Sequence, residues 1–220
     1  MEYKYDIFIS YKRDYKFGYS DMEKYSLLIR QDWITKVFLI PLLHNLTAEI
    51  GKAPTYFLDV NEIKIGDQYE RELRENLAKS KCMVVILSNP YLYDSEWCLR
   101  EFCFMKLRRE TSAGKLQNTF IFPILYQKTN LQHPLISDLE IPNYIKYDRN
   151  PDLFIRSPEY LEFQEKIQSV AATIGEVINE PPAWEDKWLS EKWWTEVKDN
   201  VNIYNKLTLD RTLLSRGIQL

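Results

Sequence analysis

Cys82-Met83-Val84-Val85-Ile86-Leu87-Ser88 is the stretch on which the fold turns, because it is apolar almost without interruption and stops at Asn89-Pro90. A strand with one wet face alternates apolar and polar residues. A strand buried on both faces does not, and such strands belong to parallel sheets covered by helices on each side. Working outward, residues 5–11 (YDIFISY) and 55–60 (TYFLDV) read as two earlier strands, 119–126 as a fourth, and 144–147 as a weaker fifth. Helical patterns lie between them. Residues 25–50 carry apolar side chains at three-four spacing, with Pro41 expected to kink or divide the helix, and 68–79 place Leu73 and Leu77 one turn apart. A helix capped by Asp94 or Ser95 runs from Glu96 to about Arg109, and Ser157-Pro158 opens another that stops before Pro181-Pro182. This alternation predicts an α/β fold: a flavodoxin-like five-stranded parallel sheet of order 2-1-3-4-5 with helices on both faces.

The chain has 220 residues and 45% apolar positions, enough for one sizeable core or one domain with an appendage. Its net charge of −3 gives no bulk electrostatic basis for binding nucleic acid or an anionic membrane. Six glycines and two histidines exclude several chemistries. There is no GxGxxG turn, no GKS or GKT after Gly51-Lys52 or Gly114-Lys115, no GxSxG elbow and no HExxH helix. Any catalysis must rest on carboxylates, and no metal site is expected. Cys82, Cys98 and Cys103 are odd in number and lack CxxC spacing, so they read as reduced, buried thiols of a cytoplasmic protein. No signal peptide pattern opens the sequence, and its longest apolar runs fall far short of the ~20 residues that span a bilayer.

Residues 181–220 differ in kind from residues 1–180. Four of the six tryptophans, at 184, 188, 193 and 194, crowd into this Trp-rich helical C-terminal segment, and no strand follows them. Such a segment either packs its indoles onto the preceding domain or offers them to a second chain, and it is the natural candidate for an activating contact.

In a doubly wound sheet, ligands bind beyond the carboxyl ends of the strands, where the winding reverses; for order 2-1-3-4-5 that is between strands one and three. Two stretches are thereby selected. One is Ser10-Tyr11-Lys12-Arg13-Asp14, an aromatic ring followed by two cations. The other runs from Ser88 to Glu101 and sets Trp97 and Glu101 four residues apart on one helix face. Each residue also has an ordinary structural reading: solvated loop cations, an anchoring indole, a surface acid.

YDIFISY, FLDVNEIKIGDQY and SNPYLYDSEWCLREF follow one another in the order and at the intervals of the signature blocks of the Toll/interleukin receptor (TIR) domain, which residues 5–180 resemble. The third block is the most specific, meeting the pattern at Ser88, Tyr91, Trp97, Cys98 and Glu101, with its middle serine displaced by one place to Ser95. The resemblance implies either a signalling adaptor that binds other TIR domains or an NAD+-cleaving enzyme. The loop 60–69 has Gly66 but no Pro-Gly pair, and the Phe-Trp pair of adaptors is missing; both lean toward the enzymes. By that similarity Glu101 is the catalytic glutamate, Ser10, Tyr11, Lys12, Arg13 and Trp97 contact NAD+, and Asp59 heads a gating loop. NAD+ enters as substrate, without a further cofactor. The implied activity is an NAD+ nucleosidase of bacterial antiviral immunity, cytoplasmic and activated by self-association or by a sensor protein or domain. The alternatives are a non-catalytic TIR scaffold and, from another class, a response-regulator-like module, for which the clustered Mg2+-binding acids are missing. Glu101 is expected at a solvent-accessible position.

Overall fold

The computed structural model describes residues 2–12, 31–58, 67–112 and 120–215. Among them, four strands form one parallel sheet: β1 (Tyr5–Tyr11), β2 (Tyr56–Leu58), β3 (Ser80–Leu87) and β4 (Ile121–Leu125), in the order β2-β1-β3-β4. Ile7 lies opposite Tyr56 on one side and Cys82 on the other, and Leu87 lies opposite Leu125. The helices are α1 (Ile40–Ile50), α2 (Asp67–Ala78), α3 (Asn89–Tyr93), α4 (Glu96–Thr111), α5 (Pro151–Phe154), α6 (Glu159–Asn179) and α7 (Glu191–Ser215).

The period of two along each strand divides the interior in two. Phe8, Met83, Val85, Leu87, Ile121 and Leu125 face α2, α4 and α7. Ile7, Ile9, Cys82, Val84, Ile86 and Ile124 face α1 and α6. Both faces are therefore covered, which is why β3 reads as a continuous apolar run.

Three local features have physical causes. Pro41 divides its helix, as expected: wide turns over Trp33–Leu39 lead into α1, and they relieve the ring clash and missing N–H of a proline at the second position of α1. Asn89-Pro90 ends β3, as expected, and at once opens a helix. Ser88 Oγ accepts the Tyr91 N–H at 3.3 Å and caps α3, with Pro90 in the first turn, where its missing N–H costs nothing. The fifth strand is absent among the described residues. Leu125 donates its N–H to Pro142 O and accepts from Tyr144 N–H, a single bridge at Asn143. The Asn143 side chain then accepts the Ile145 N–H at 2.9 Å and turns residues 145–147 into a 3-10 helix, which carries Tyr144 and Tyr147 into an aromatic cluster with Phe154 and Phe163. Burial of two rings outweighs one more short strand.

The Trp-rich segment shares the sheet's apolar interior. Trp188, Trp193 and Trp194 are buried, in one cluster with Phe104, Leu107 and Val201. Their indoles are enclosed within this chain and are not available to a second one. Arg108 is fully buried beside them: its guanidinium donates to Leu77 O in the last turn of α2, to Ser80 O at the start of β3 and to the Tyr3 hydroxyl, and it stacks 4.0 Å from the Trp188 ring. Two backbone carbonyls, one of them at a helix C-terminus, and the indole face thus solvate a buried cation. Burial lowers its pKa to about 10, so it remains charged at neutral pH.

Candidate functional site

β1 and β3 are neighbours with helices leaving them toward opposite faces, so their carboxyl ends border the crevice where the winding reverses. β1 delivers Ser10, Tyr11 and Lys12 to it. The chain leaving β3 folds at once into α3 and then α4. Ser95 caps α4 by accepting the Cys98 N–H at 3.3 Å, which fixes the phase of the helix. That phase turns Glu101 inward and leaves Trp97, one turn earlier, at 36% exposure.

Glu101 is buried, only 6% exposed, which corrects the expectation of a solvent-accessible residue. The reason is Ser10. Its hydroxyl, 1% exposed at the end of the central strand, donates to Glu101 Oε2 at 2.5 Å. Tyr91, fully buried on α3, places its phenol 2.7 Å from the same Ser10 oxygen and 3.1 Å from Cys98 O. Ser10 gives its one proton to the carboxylate, so the single Tyr91 proton is shared between two acceptors, Ser10 Oγ and Cys98 O. The result is a network in which Tyr91 and Glu101 meet at Ser10. Burial, with the neighbouring Cys98 and Glu101 adding to it, pushes the Tyr91 phenol well above its ordinary range, so it stays a neutral donor.

Tyr11 and Lys12 are half-buried, and the Tyr11 carbonyl receives the Cys98 thiol at 3.7 Å, which ties the end of β1 to α4. The exposed Trp97 ring is met edge-on by Tyr69 at 5.0 Å and is covered by Arg100, whose guanidinium carbon lies 4.5 Å from its centroid. Arg13 and Asp59 lie outside the described residues. Of the candidate set, then, Ser10 and Glu101 are in direct contact, Tyr11 joins them through Cys98, and Trp97 stands one helical turn away.

Tyr91 and Arg100 were not singled out from the sequence as site residues. Tyr91 had a signal, its fixed place in the third signature block. Arg100 had a partial signal, its i, i+3 spacing from Trp97 on α4, but its pairing with Glu70 of α2 is not local to the sequence. Among the described residues no group of acidic, His and Cys side chains has the arrangement of a metal site. No described helix is long and apolar enough to cross a membrane. A cavity of about 460 Å3 beside β4, lined by Arg109, Phe122, Pro123, Asp138 and Glu140 among others, includes none of the candidate residues.

Chemically, the arrangement presents a carboxylate oriented by a hydroxyl at the base of a crevice, with an indole wall beside it and a cationic segment leaving β1. A search of curated proteins finds no match. The crystal structure of the TIR domain of the Toll-related receptor TRR-2 from the lower metazoan Hydra magnipapillata is similar at 14% identity and a TM-score of 0.39, covering 76% of this chain and 99% of that one. A family model described as the TIR domain matches residues 36–174, a span that takes in β2, β3, the Trp97 to Glu101 turn and β4. That match covers more than half of the chain, which belongs to the TIR domain family.

Proposed function

We propose that this chain is an NAD+ nucleosidase, cleaving the bond between nicotinamide and ribose with Glu101 as the catalytic carboxylate. The observation that carries the reading is the Ser10 hydroxyl donating to Glu101 at the β1/β3 reversal, one helical turn from an exposed indole. Departure of nicotinamide leaves oxocarbenium-like positive charge on the ribose, and nicotinamide is neutral once it has left. A fixed carboxylate stabilises that charge without a general acid, and a serine that holds one carboxylate oxygen removes the cost of orienting it during reaction. In this reading Trp97 supplies a face for a flat ring, and Tyr11 and Lys12, at the end of β1, offer a ring and a cation to the base and the pyrophosphate. Water capture yields ADP-ribose; capture by the adenine yields a cyclic ADP-ribose. Self-association through TIR domains, triggered by a sensor protein or domain, is part of the same reading, as is a role in antiviral defence.

The buried state of Glu101 also favours a second reading, in which the Tyr91–Ser10–Glu101 chain only fastens α4 to β1 in a non-catalytic scaffold. One measurement separates them: nicotinamide release from NAD+ by the concentrated, crowded or forcibly oligomerised protein. Glu101→Gln keeps the shape of the buried side chain and is the fitting variant; removal of the charge is expected to lower turnover at least about 100-fold while the protein still folds. Wild-type protein that assembles yet releases no nicotinamide, or a glutamine variant of equal rate, sinks the enzymatic reading.

A further inference from the structure

Glu70, in the first turns of α2, is where three helices meet. Its Oε1 accepts the indole N–H of Trp194 at 2.6 Å and a proton of Lys198 Nζ at 2.7 Å, both from α7, and its Oε2 accepts from Arg100 on α4 at 3.1 Å. Trp194 and Lys198 are four residues apart, so one face of α7 addresses this single carboxylate. Arg100 in turn lies over the Trp97 ring at 4.5 Å, and Tyr69, adjacent to Glu70 in sequence, meets that ring edge-on at 5.0 Å. The wall of the candidate site is thus held on two sides by residues that Glu70 fixes, and Glu70 is fixed by α7.

The bonds in this frame differ in weight. Trp194 is 1% exposed, so its indole N–H without Glu70 is an orphan donor in the core, the costliest loss in this frame. Lys198 and Glu70 are part-exposed at 39% and 28%, and solvent weakens that pair. The pairing of Arg100 with Glu96, whose side chain is 61% exposed, is a surface contact and contributes little. Arg100 is therefore held over Trp97 mainly by Glu70 of α2, which is in turn held by α7.

We infer that Glu70 and Arg100 are positioning residues through which the C-terminal helix α7 sets the placement of Trp97, and with it the binding of the ring-bearing half of the substrate. The inference rests on the reading of this site as NAD+-cleaving. It makes the Trp-rich segment part of the site's machinery, acting through contacts within one chain.

The test uses the full chain with Glu70→Gln, Lys198→Met and the charge-conserving Lys198→Arg, and reads two quantities. The first is the KM and kcat of nicotinamide release from NAD+. The second is the 19F resonance of Trp97 in protein labelled with 5-fluorotryptophan, assigned by its loss in Trp97→Phe and recorded without NAD+. Glu70→Gln and Lys198→Met are expected to raise KM about ten- to thirtyfold, the lower part of the range for one charge-assisted hydrogen bond. The same variants leave kcat within about twofold, because Trp97 binds and does not react. Both variants shift the Trp97 resonance, and Lys198→Arg restores both readouts. A Trp97 resonance that stays in place while that of Trp194 moves, or an unchanged KM, overturns the inference. Should the wild type cleave no NAD+, the nucleosidase reading fails, and the resonance still decides whether α7 holds Trp97. Should Glu70→Gln not fold, Lys198→Met, at a part-exposed position, carries the test.

Discussion

Ser10 bears more of the site than its size suggests, since one hydroxyl orients Glu101 and meets the Tyr91 phenol. Ser10→Ala deprives a buried carboxylate of a donor, and a lost hydrogen bond to a charged group is worth about 1.5–3 kcal/mol. Tyr91→Phe leaves the Ser10–Glu101 bond in place and removes a neutral donor, with a cost of about 1 kcal/mol. Urea unfolding of the two variants is therefore expected to rank Ser10→Ala as the more damaging. The opposite ranking removes Ser10 as the chief donor to Glu101. Their double variant is expected to be non-additive, since all three groups form one network.

At the scale of elements, the C-terminal segment, the 3-10 turn Asp186–Leu189 together with α7, is the one whose loss matters beyond itself. Trp188, in that turn, stacks on the buried Arg108, which also holds a carbonyl in the last turn of α2, the first carbonyl of β3 and the Tyr3 hydroxyl. Trp188→Ala opens a large cavity and bares a buried guanidinium; truncating a buried aromatic alone costs about 3–5 kcal/mol. Thermal unfolding is expected to show a marked loss, and deletion of residues 183–220 is expected to leave insoluble protein. A soluble, folded truncation contradicts this assignment. The same elements show what the sequence could reveal. β3 was legible because both of its faces are buried, and α4 because Ser95 and the apolar spacing after it agree on one phase. Residues 144–147 have the composition of a strand, yet Asn143 turns the chain and the tyrosines find better burial beneath the sheet; neither fact is local to those four residues. The burial of Glu101 was illegible for the same reason, as it depends on a serine 91 positions away. The third signature block named Glu101 and Trp97 but gave no sign of the Glu70 and Arg100 frame around the latter.

For the molecule as a whole, stability is tied to three carboxylates that each join distant segments: Asp6 with Lys81 and Thr55, Glu70 with Lys198 and Trp194, and Asp138 with Lys106 and Arg109. Burial alone raises the pKa of each, but the bonds and neighbouring cations outweigh it and hold all three below the ordinary carboxylate range. A folded value below the unfolded one means the stabilisation is complete above the unfolded range, near pH 4, and is lost as pH falls through the lower folded values. Melting temperature is expected to be nearly flat from about pH 7 to pH 5 and to fall steeply below about pH 4. Asp6→Asn is expected to flatten that fall, and a profile unchanged in this variant removes Asp6 from the account.

The hydrogen bond from the Tyr3 hydroxyl to Pro182 O joins positions 179 residues apart, and it lies beside Trp188 and Arg108. During synthesis the N-terminal strand therefore leaves the ribosome long before its last partner exists. Until Trp188, Trp193 and Trp194 emerge, the outer face of α4 has no cover, and the Trp97 frame lacks the helix that fastens it. A nascent chain that has emerged only as far as Asn179 thus has the carboxylate and the sheet but lacks the helix that the inferred frame around Trp97 requires, so the site is finished only after α7 has emerged.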